Sequence, residues 1–287
     1  MPHAFRKIED SLFALPGFYA GHSKGYRRAD LITRAEGSVH MGFFIAELQG
    51  GGIVDACVHS FEKGTFVWEG EIELNRDGRT IRLAKGDYAL IPVGMPYAIR
   101  NRGSERSRWI EKCAPQPKLG ADDWQDSFFV KQSVWASDAD IETVKTPLGR
   151  MLGHFDKGQL PPAAKGDKHR SGQTKKMLMD QMFGAQHFDL FMIEFSEGGQ
   201  STMHDHNFEE AYLVVDGEVT YEAEGKKYVL TPGTIAWSGV GAPHAFYLDR
   251  GTACCWLEVM SPQPPVQNLG RRYAAWEDIR KSLEIKA

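Results

Sequence analysis

Residues 198–217, GGQSTMHDHNFEEAYLVVDG, place two histidines and a glutamate at the spacing H-x-H-x3-E. Residues two apart in a β-strand point to the same face, so His204 and His206 can both point inward. Glu210 can return to them from the next strand after a short turn, and a third histidine, His244, follows in a later segment. Three imidazoles and one carboxylate are a typical ligand set for a divalent transition metal. The stretch therefore predicts a metal site inside an antiparallel β-structure.

Glycines at both ends of this stretch complete the motif G-x5-H-x-H-x3-E-x6-G, which resembles the first motif of the cupin superfamily at every fixed position. Residues 233–248 are similar to the second cupin motif, G-x5-P-x-G-x2-H-x3-N. They depart from it at Gly239 and Leu248, where proline and asparagine are usual. The resemblance implies a jelly-roll barrel with a metal ion whose ligands are His204, His206, Glu210 and His244.

The sequence also repeats, because it lies on itself without a gap when it is shifted by 147 residues. The matching pairs include Phe44 and Phe191, Glu47 and Glu194, Gly70 and Gly217, Gly86 and Gly233, and Trp109 and Trp256. In both copies, short runs with strand composition are broken by glycine-containing turns. We therefore predict an internal duplication and an all-β fold of two tandem cupin (jelly-roll) barrels with a C-terminal helix.

Composition divides the chain into three parts. Residues 1–128 are predicted to form an N-terminal degenerate cupin without metal. Residues 129–180 are polar and rich in Pro, Gly, Lys and Ser, which indicates a linker with a loop. Residues 181–287 are predicted to form the metal-binding cupin and its terminal helix. That helix is predicted from the helical spacing of Tyr273, Trp276, Ile279 and Leu283.

The first copy has lost most of the metal ligands. At the offset of 147 residues, the four predicted ligands of the second copy correspond to Cys57, His59, Lys63 and Tyr97. A lysine at the carboxylate position puts a cation where a divalent ion would bind, and the two charges would repel each other. The flanking glycines are retained, so the scaffold is preserved while the ligands are gone. We interpret residues 44–117 as a structural barrel.

Three residues near the second motif are candidates for catalysis. Tyr212 alternates with Glu210 along the predicted strand and should face the same interior. Trp237 replaces a leucine of the first copy and could line a pocket above the metal. Glu258 could act as a general base, although the metal-free copy has a glutamate, Glu111, at the matching position. For each of the three, a role in the barrel core is an equal alternative.

The overall composition is that of an ordinary globular protein, with 42% hydrophobic and 25% charged residues. The net charge of −4 argues against a nucleic-acid surface, and no apolar run has the roughly 20 residues that span a bilayer. The N-terminal residues do not resemble a secretion signal, and the four cysteines show no framework spacing, so we expect a cytoplasmic protein. Cupins often pair through barrel edges, which leads us to expect a homodimer.

The predicted ligand set favours Mn(II) or Fe(II), and Zn or Ni are also compatible with it. The layout resembles the (S)-ureidoglycine aminohydrolase family, in which a metal-free N-terminal cupin precedes a metal-bearing one, usually with Mn(II). The similar segments are YRRADLITRAEGSVHMGFFIAEL, at 26–48, and GDYALIPVGMPYAIRN, at 86–101. That family presents E-x-H-x3-H and a later Gln, whereas this chain has H-x-H-x3-E and His244. The resemblance implies an aminohydrolase acting on a small polar or carboxylate-bearing metabolite.

Two further functions fit the same residues. The three-histidine, one-glutamate set also resembles that of quercetin dioxygenases and oxalate-degrading cupins, which implies a dioxygenase that uses Fe(II) or Mn(II). Aromatic residues near the site could supply the apolar pocket that such an enzyme needs. The third alternative is a cupin that binds a small ligand without catalysis.

Overall fold

The computed structural model describes residues 2–118, 126–131, 134–144, 151–163, 166, 169–249, 251 and 253–263. Strands account for most of these residues, as the glycine-punctuated runs predict. The predicted C-terminal helix, with Tyr273, Trp276, Ile279 and Leu283, lies outside the described residues. Within the described residues, no helix has both the length and the apolar character needed to cross a membrane.

The strands before residue 147 are β1 His3–Lys7, β2 Phe13–Ala14, β3 Ser23–Ile32, β4 Gly42–His59, β5 Glu62–Glu69, β6 Glu71–Arg76, β7 Arg79–Ala84, β8 Asp87–Ile91, β9 Tyr97–Arg100, β10 Ser107–Ala114, β11 Ser127–Phe129 and β12 Glu142–Thr143. The later strands are β13 Leu152–His154, β14 Arg170–Met179, β15 Asp189–His204, β16 Glu209–Gly217, β17 Val219–Ala223, β18 Lys226–Leu230, β19 Thr234–Ser238, β20 His244–Tyr247 and β21 Ala253–Ser261. Short 3-10 helices span Asp10–Leu12, Gly17–Tyr19, Arg34–Glu36, Asp138–Asp140 and Lys157–Gln159.

The strands form two mainly antiparallel sheets, each of which curls into a jelly-roll barrel. The first has the order β12-β7-β6-β9-β4-β10-β5-β8-β13, with β2, β3 and β11 attached beside it. The second has the order β1-β19-β16-β21-β15-β20-β17-β18, with β14 paired to β15. The all-β prediction of two tandem cupin barrels is therefore confirmed.

The repeat extends further than the motifs alone indicated. Strands β3, β8 and β9 match β14, β19 and β20 residue for residue at the offset of 147. Gly86 and Gly233, which open matching turns, have φ angles of 88° and 85°, a left-handed conformation that favours glycine. Even the 3-10 helix Asp10–Leu12 recurs, as Lys157–Gln159. The second copy therefore includes residues well before 181.

Each copy gives its first strand to the other copy's barrel. Strand β1 pairs with β19 of the second sheet, placing Phe5 opposite Ala236. Strand β13 pairs with β8 of the first sheet, placing Leu152 opposite Ala89. These two pairs are related by the same offset of 147. The segment 129–180, which composition assigned to a linker, thus supplies β13 to the first barrel and β14 to the second; its polar character reflects short and partly exposed strands.

A single apolar core joins the two barrels. Its buried members come in matching pairs from the two copies, including Phe43 and Leu190, Phe66 and Leu213, Leu90 and Trp237, and Ile110 and Leu257. Burying a large apolar side chain of this kind contributes about 1.5–3 kcal/mol. The barrels are therefore packed face to face around an approximate twofold relation.

Two buried carboxylates reinforce this interface symmetrically. Glu62 of the first barrel accepts hydrogen bonds from the backbone N–H groups of residues 186–187, at 2.8–3.0 Å. Its match, Glu209 of the second barrel, accepts hydrogen bonds from the N–H groups of residues 39–40, at 2.7 and 3.2 Å. Each barrel thus holds the segment that enters the long central strand of the other.

Candidate metal centre

The three predicted histidine ligands converge inside the second barrel. His204 ends β15 and lies opposite His244, the first residue of β20, while His206 follows two residues after His204. One ring nitrogen from each of the three lies within 4.8 Å of the others, and all three side chains are buried. The three histidines that the sequence spacing predicted to share a site therefore lie close together in the structure.

Backbone carbonyl groups orient two of these imidazoles. His204 Nδ1 lies 2.7 Å from the carbonyl oxygen of Thr202, and His244 Nδ1 lies 2.9 Å from that of Ala242. A carbonyl oxygen only accepts, so Nδ1 carries the hydrogen in both rings and Nε2 keeps its lone pair. This is the tautomer in which Nε2 can bind a metal ion.

The third imidazole differs because His206 Nδ1 is buried and has no hydrogen-bond partner among the described residues. Burial keeps the rings of His204 and His206 neutral, lowering the pKa of His204 well below its usual value and that of His206 to about 4. Neutral imidazoles with available lone pairs are the form that binds a cation.

Glu210 completes the cluster. Its Oε2 atom lies 3.1 Å from His244 Nε2 and 3.3 Å from His206 Nε2. Burial favours the protonated acid, but a proton or cation shared with the adjacent imidazoles, His206 first, outweighs burial and holds the pKa of Glu210 below its usual range, so it is a carboxylate. The Tyr212 hydroxyl lies 2.7 Å from Glu210 Oε2 and 3.0 Å from His244 Nε2. It has one proton for two acceptors, so one acceptor stays unsatisfied unless a proton or a cation lies between them.

These donors fit a divalent transition metal. Imidazole nitrogens suit Fe, Ni and Zn, carboxylate oxygens suit Mn, and the described cluster contains no thiolate that would indicate a purely structural zinc site. The two acceptors that share one hydroxyl proton, Glu210 Oε2 and His244 Nε2, are the feature that a bound cation would satisfy. Such an ion would be held by His204, His206, Glu210 and His244.

The cluster lies in a cavity of about 330 Å3. The apolar walls are Phe191, Ile193, Phe195, Phe208, Phe246, Trp256 and Met260. The other lining side chains are polar: Arg170, Gln173, Lys175, Ser201, Tyr212, Glu258 and the four ligand candidates. A small cavity with aromatic walls and a few convergent polar groups is typical of a site for a small molecule.

Two of the three catalytic candidates line this cavity, and the third does not. Tyr212 and Glu258 are among its walls. Trp237 lies instead in the apolar core between the barrels. The hydroxyl of its neighbour Ser238 is hydrogen-bonded to the Tyr221 hydroxyl, 2.7 Å away inside the barrel. Because side chains alternate along β19, Trp237 points to the opposite face. Of the two alternatives given for Trp237, the structure places it in the core, and the sequence could not distinguish them because it does not give the register of β19.

Glu258 has an unusual environment. The indole N–H of Trp256 donates to its Oε2 atom at 2.8 Å. Burial, followed by the charge of Glu210, raises the pKa of Glu258 to about 8. Without a bound metal ion, the side chain is therefore largely protonated at neutral pH and can exchange a proton near pH 7.

The polar residues that β14 contributes to the cavity were not predicted from the sequence. Arg170, Gln173 and Lys175 lie in the segment interpreted as a linker, yet they line the cavity. The signal that could have found them was the ungapped offset itself, which matches β14 with β3 of the first copy.

In the first barrel, the equivalent position is filled by an ion pair. Lys63 Nζ lies 3.0 Å from Glu111 Oε2, and both side chains are 2% exposed. The indole of Trp109 donates to the other oxygen of Glu111 at 3.0 Å. Burial alone would lower the pKa of Lys63, but the Glu111 carboxylate holds it above its usual value, so the ammonium stays charged.

His59, the retained histidine, contacts both of the other replaced ligands and a residue of the neighbouring strand β11. His59 lies 2.8 Å from the Tyr97 hydroxyl through Nε2 and 2.6 Å from Ser127 Oγ through Nδ1. Cys57 Sγ lies 3.7 Å from the same His59 Nε2. Both nitrogens of the retained histidine are therefore engaged. Within the described ranges, only the second barrel has three or more side chains grouped as metal ligands.

Comparison with known proteins agrees with this architecture. Residues 44–112 and 191–260 each match the family described as Cupin domain. The chain is 24% identical over 213 residues to quercetin 2,3-dioxygenase of Bacillus subtilis (strain 168), an alignment that covers 65% of this chain and 63% of that protein. The chain thus spans less than two thirds of that relative's length.

Two solved structures resemble the whole molecule. A glyoxylate-induced protein from Pseudomonas aeruginosa has a TM-score of 0.66 at 17% identity, with 94% of this chain and 92% of that chain covered. Oxalate decarboxylase from Lactobacillus farciminis, in a formate complex, has a TM-score of 0.64 at 13% identity, with 91% and 86% covered. At these identities the likeness concerns the fold alone.

Proposed function

The chain belongs to the cupin superfamily and carries two cupin barrels, and on this basis we propose that it is an enzyme that uses one divalent metal ion in its C-terminal barrel. One observation carries the proposal: the same position holds converging imidazoles and a carboxylate in one barrel and a buried ion pair in the other. Mn(II) or Fe(II) suits the ligands best, and Zn or Ni is compatible. The first barrel then serves as scaffold.

Among the reactions open to such a site, we propose dioxygenation of a small organic substrate. The sequence likeness to a quercetin 2,3-dioxygenase and the aromatic walls of the cavity support this choice. When bound, Mn(II) or Fe(II) supplies Lewis acidity and redox chemistry with dioxygen. The phenyl rings exclude water and pack against an apolar substrate. Tyr212 orients Glu210 through its hydroxyl. Glu258, whose carboxylate form a bound cation would favour, accepts a proton from the substrate.

A metal-dependent hydrolase, including one like ureidoglycine aminohydrolase, is the second candidate. It is favoured by Glu258, whose raised pKa of about 8 lets the side chain hold a proton for a departing amine at neutral pH. Binding of a small ligand without catalysis is the remaining alternative. We also propose, from the sequence, that the protein is cytoplasmic and forms a homodimer.

Elemental analysis of the purified protein tests the metal site. We expect about one ion per chain, and loss of that ion in the double variant His204→Ala, His206→Ala. The matched control is His59→Ala, which removes the histidine retained in the first barrel and should leave the metal content unchanged. Two tightly bound ions per chain, or a dependence on His59, would contradict a single site in the second barrel.

Oxygen consumption distinguishes the two reactions. Metal-loaded enzyme is incubated with flavonols, small aromatic carboxylates and ureidoglycine, while dissolved oxygen and ammonia are followed together. Oxygen-dependent turnover supports the dioxygenase, and ammonia release that proceeds without oxygen supports the hydrolase. In either case Glu258→Gln should lower kcat by roughly 10²–10⁴-fold if Glu258 transfers the proton. Full activity in that variant would remove Glu258 from the mechanism.

A further inference from the structure

Strand β14 places a cation at the cavity of the second barrel. Lys175 lines the cavity, and its Nζ atom lies 3.6 Å from the centroid of the Phe191 ring. The residue is exposed, so a molecule entering the cavity can reach the ammonium group. Because Phe191 is itself a cavity wall, the ammonium lies directly beside the apolar surface on which a substrate would pack.

The first copy provides an internal comparison. There the matching residue on β3 is Arg28, whose guanidinium lies 4.1 Å from the centroid of the matching ring, Phe44. Arg28 Nε donates to Asp30 Oδ1 on the same strand at 2.7 Å. The residue that matches Asp30 in the second copy is Met177. The cation over the ring is thus retained in both copies, but only the metal-free copy has a carboxylate at this position to neutralise it.

A second difference concerns the space beside the cation. The match of Gln173 on β3 is Tyr26, a buried tyrosine 3% exposed that belongs to the core of the first barrel. In the second barrel Gln173 lines the cavity together with Lys175. A large ring in one copy is therefore replaced by a smaller polar side chain in the other, where the cavity is found.

The charges around the cavity favour an anion. The ionisable side chains that line it, apart from the histidines, are Arg170, Lys175, Glu210, Glu258 and Tyr212. A divalent ion held by Glu210 would leave a net positive charge at the cluster, and the two basic side chains outweigh Glu258 even when it is ionised. Clefts lined by one sign of charge concentrate ligands of the opposite sign.

We propose that Lys175 binds the carboxylate of the substrate, which identifies the substrate class as small aromatic or similarly apolar carboxylates. The apolar part of such a molecule would pack on Phe191 and the other rings, and its carboxylate would pair with the ammonium. The inference deepens the proposed function, on which it rests for the identity of the cavity as the substrate site.

Isothermal titration with benzoate and with uncharged benzamide tests this role without any need for turnover. We expect benzoate to bind the full-length, Mn(II)-loaded protein more tightly than benzamide does. Lys175→Met should weaken benzoate binding roughly tenfold or more, as expected for a lost charge-assisted hydrogen bond, and leave benzamide unaffected. Lys175→Arg should recover most of the affinity for benzoate. The matched control is Lys176→Met, which removes the next lysine of β14, bonded to Gln159 at 2.7 Å.

Several outcomes would overturn the proposal. The first is that benzoate does not bind the unaltered protein. The second is that Lys175→Met binds benzoate as tightly as the unaltered protein does. The third is that Lys175→Met loses affinity for benzamide as much as for benzoate. Repeating the titration after metal removal separates this result from the proposed function. A benzoate affinity that depends on Lys175 in the metal-free protein upholds the role of Lys175 even if no metal is found. If the protein binds metal but its affinity for benzoate is the same in Lys175→Met, the inference is refuted and the proposed function is not affected.

Discussion

One residue position separates the two barrels most clearly. It holds Glu210, with Oε2 within 3.3 Å of two imidazoles, in the second barrel and Lys63, bonded to Glu111, in the first. The matching glutamates, Glu111 and Glu258, accept the same indole hydrogen bond from the tryptophan two residues earlier. What differs is the charge nearest to each glutamate: Glu111 is bonded to an ammonium, whereas Glu258 faces the Glu210 carboxylate first and the Lys175 ammonium only second. The lysine therefore provides inside the first barrel the positive charge that a metal would provide in the second.

This comparison predicts an asymmetric cost of substitution in the first barrel. Lys63→Met leaves Glu111 buried without its cation, and breaking a buried pair in this way costs about 3–5 kcal/mol. In the double variant Lys63→Met, Glu111→Gln, the glutamine carries no charge and still accepts the Trp109 indole hydrogen bond. We expect it to recover most of the loss. Urea denaturation followed by circular dichroism measures the free energy of unfolding of both variants.

The matched control for this pair is in the second barrel, where Glu258→Gln removes a carboxyl group that is already largely protonated at neutral pH. That variant should change the stability of the metal-free protein by much less than Lys63→Met does. If Lys63→Met and the double variant were equally destabilised, the cost would come from lost packing of the lysine chain, and the ion pair would have no electrostatic role.

The sequence spacing predicted which side chains form the ligand cluster, but it did not predict the other side chains around the cavity. The intervals of H-x-H-x3-E determine which side chains share a strand face, so His204, His206 and Glu210 could be grouped from the order of residues alone. Trp237 could not be placed, since its direction depends on how β19 is registered against β16. Lys175 was overlooked because a polar strand at a barrel edge has the composition of a linker.

At the scale of elements, the main finding is the reciprocal exchange of first strands. Strand β1 completes the second sheet and β13 completes the first. The glutamates at the start of β5 and β16 hold the segments that lead into β15 and β4. The β-runs and their turns could be predicted from composition and glycine positions. The exchange could not, because a strand of three to five residues carries no information about which barrel edge it joins.

These carboxylate contacts should contribute strongly to the joining of the barrels. Glu62→Ala would leave the part-buried N–H groups of Gln186 and His187 without their acceptor, and each such group costs up to about 1–3 kcal/mol. We expect a loss of roughly 2–5 kcal/mol in the free energy of unfolding. Glu62→Gln keeps one acceptor oxygen and should lose less. Thermal denaturation and urea titration measure both effects.

Glu69→Ala on the same strand is the control. Its side chain is 46% exposed and lies 3.7 Å from Arg106, and exposed ion pairs of this kind contribute about 0–1 kcal/mol. A loss in Glu62→Ala no larger than that in Glu69→Ala would show that the contacts to residues 186–187 do not stabilise the interface.

Across the molecule, the two barrels share an apolar core in addition to their own interiors and exchange strands, so neither has a complete boundary of its own. The core pairs Phe66 with Leu213 and Leu90 with Trp237 across the approximate twofold relation. The first barrel thus covers an apolar face of the second. The duplication was evident from the ungapped offset. The face-to-face packing was not, because the two copies share one sequence pattern, which does not show which face of a barrel the other barrel covers.

This architecture leads us to expect that both barrels unfold in one transition and that metal stabilises them together. An ion that binds only the native state adds about 2.7 kcal/mol to the free energy of unfolding at a free concentration 100 times its Kd. Although the proposed ligands are all in the second barrel, the Tm of the first should rise equally. Hydrogen exchange read by mass spectrometry checks this, because added Mn(II) should slow exchange in β5 and β10 as it does in β16 and β21. The variant His204→Ala should show neither change. Two separate transitions, with only the second barrel responding to metal, would mean that the shared core does not couple the two barrels.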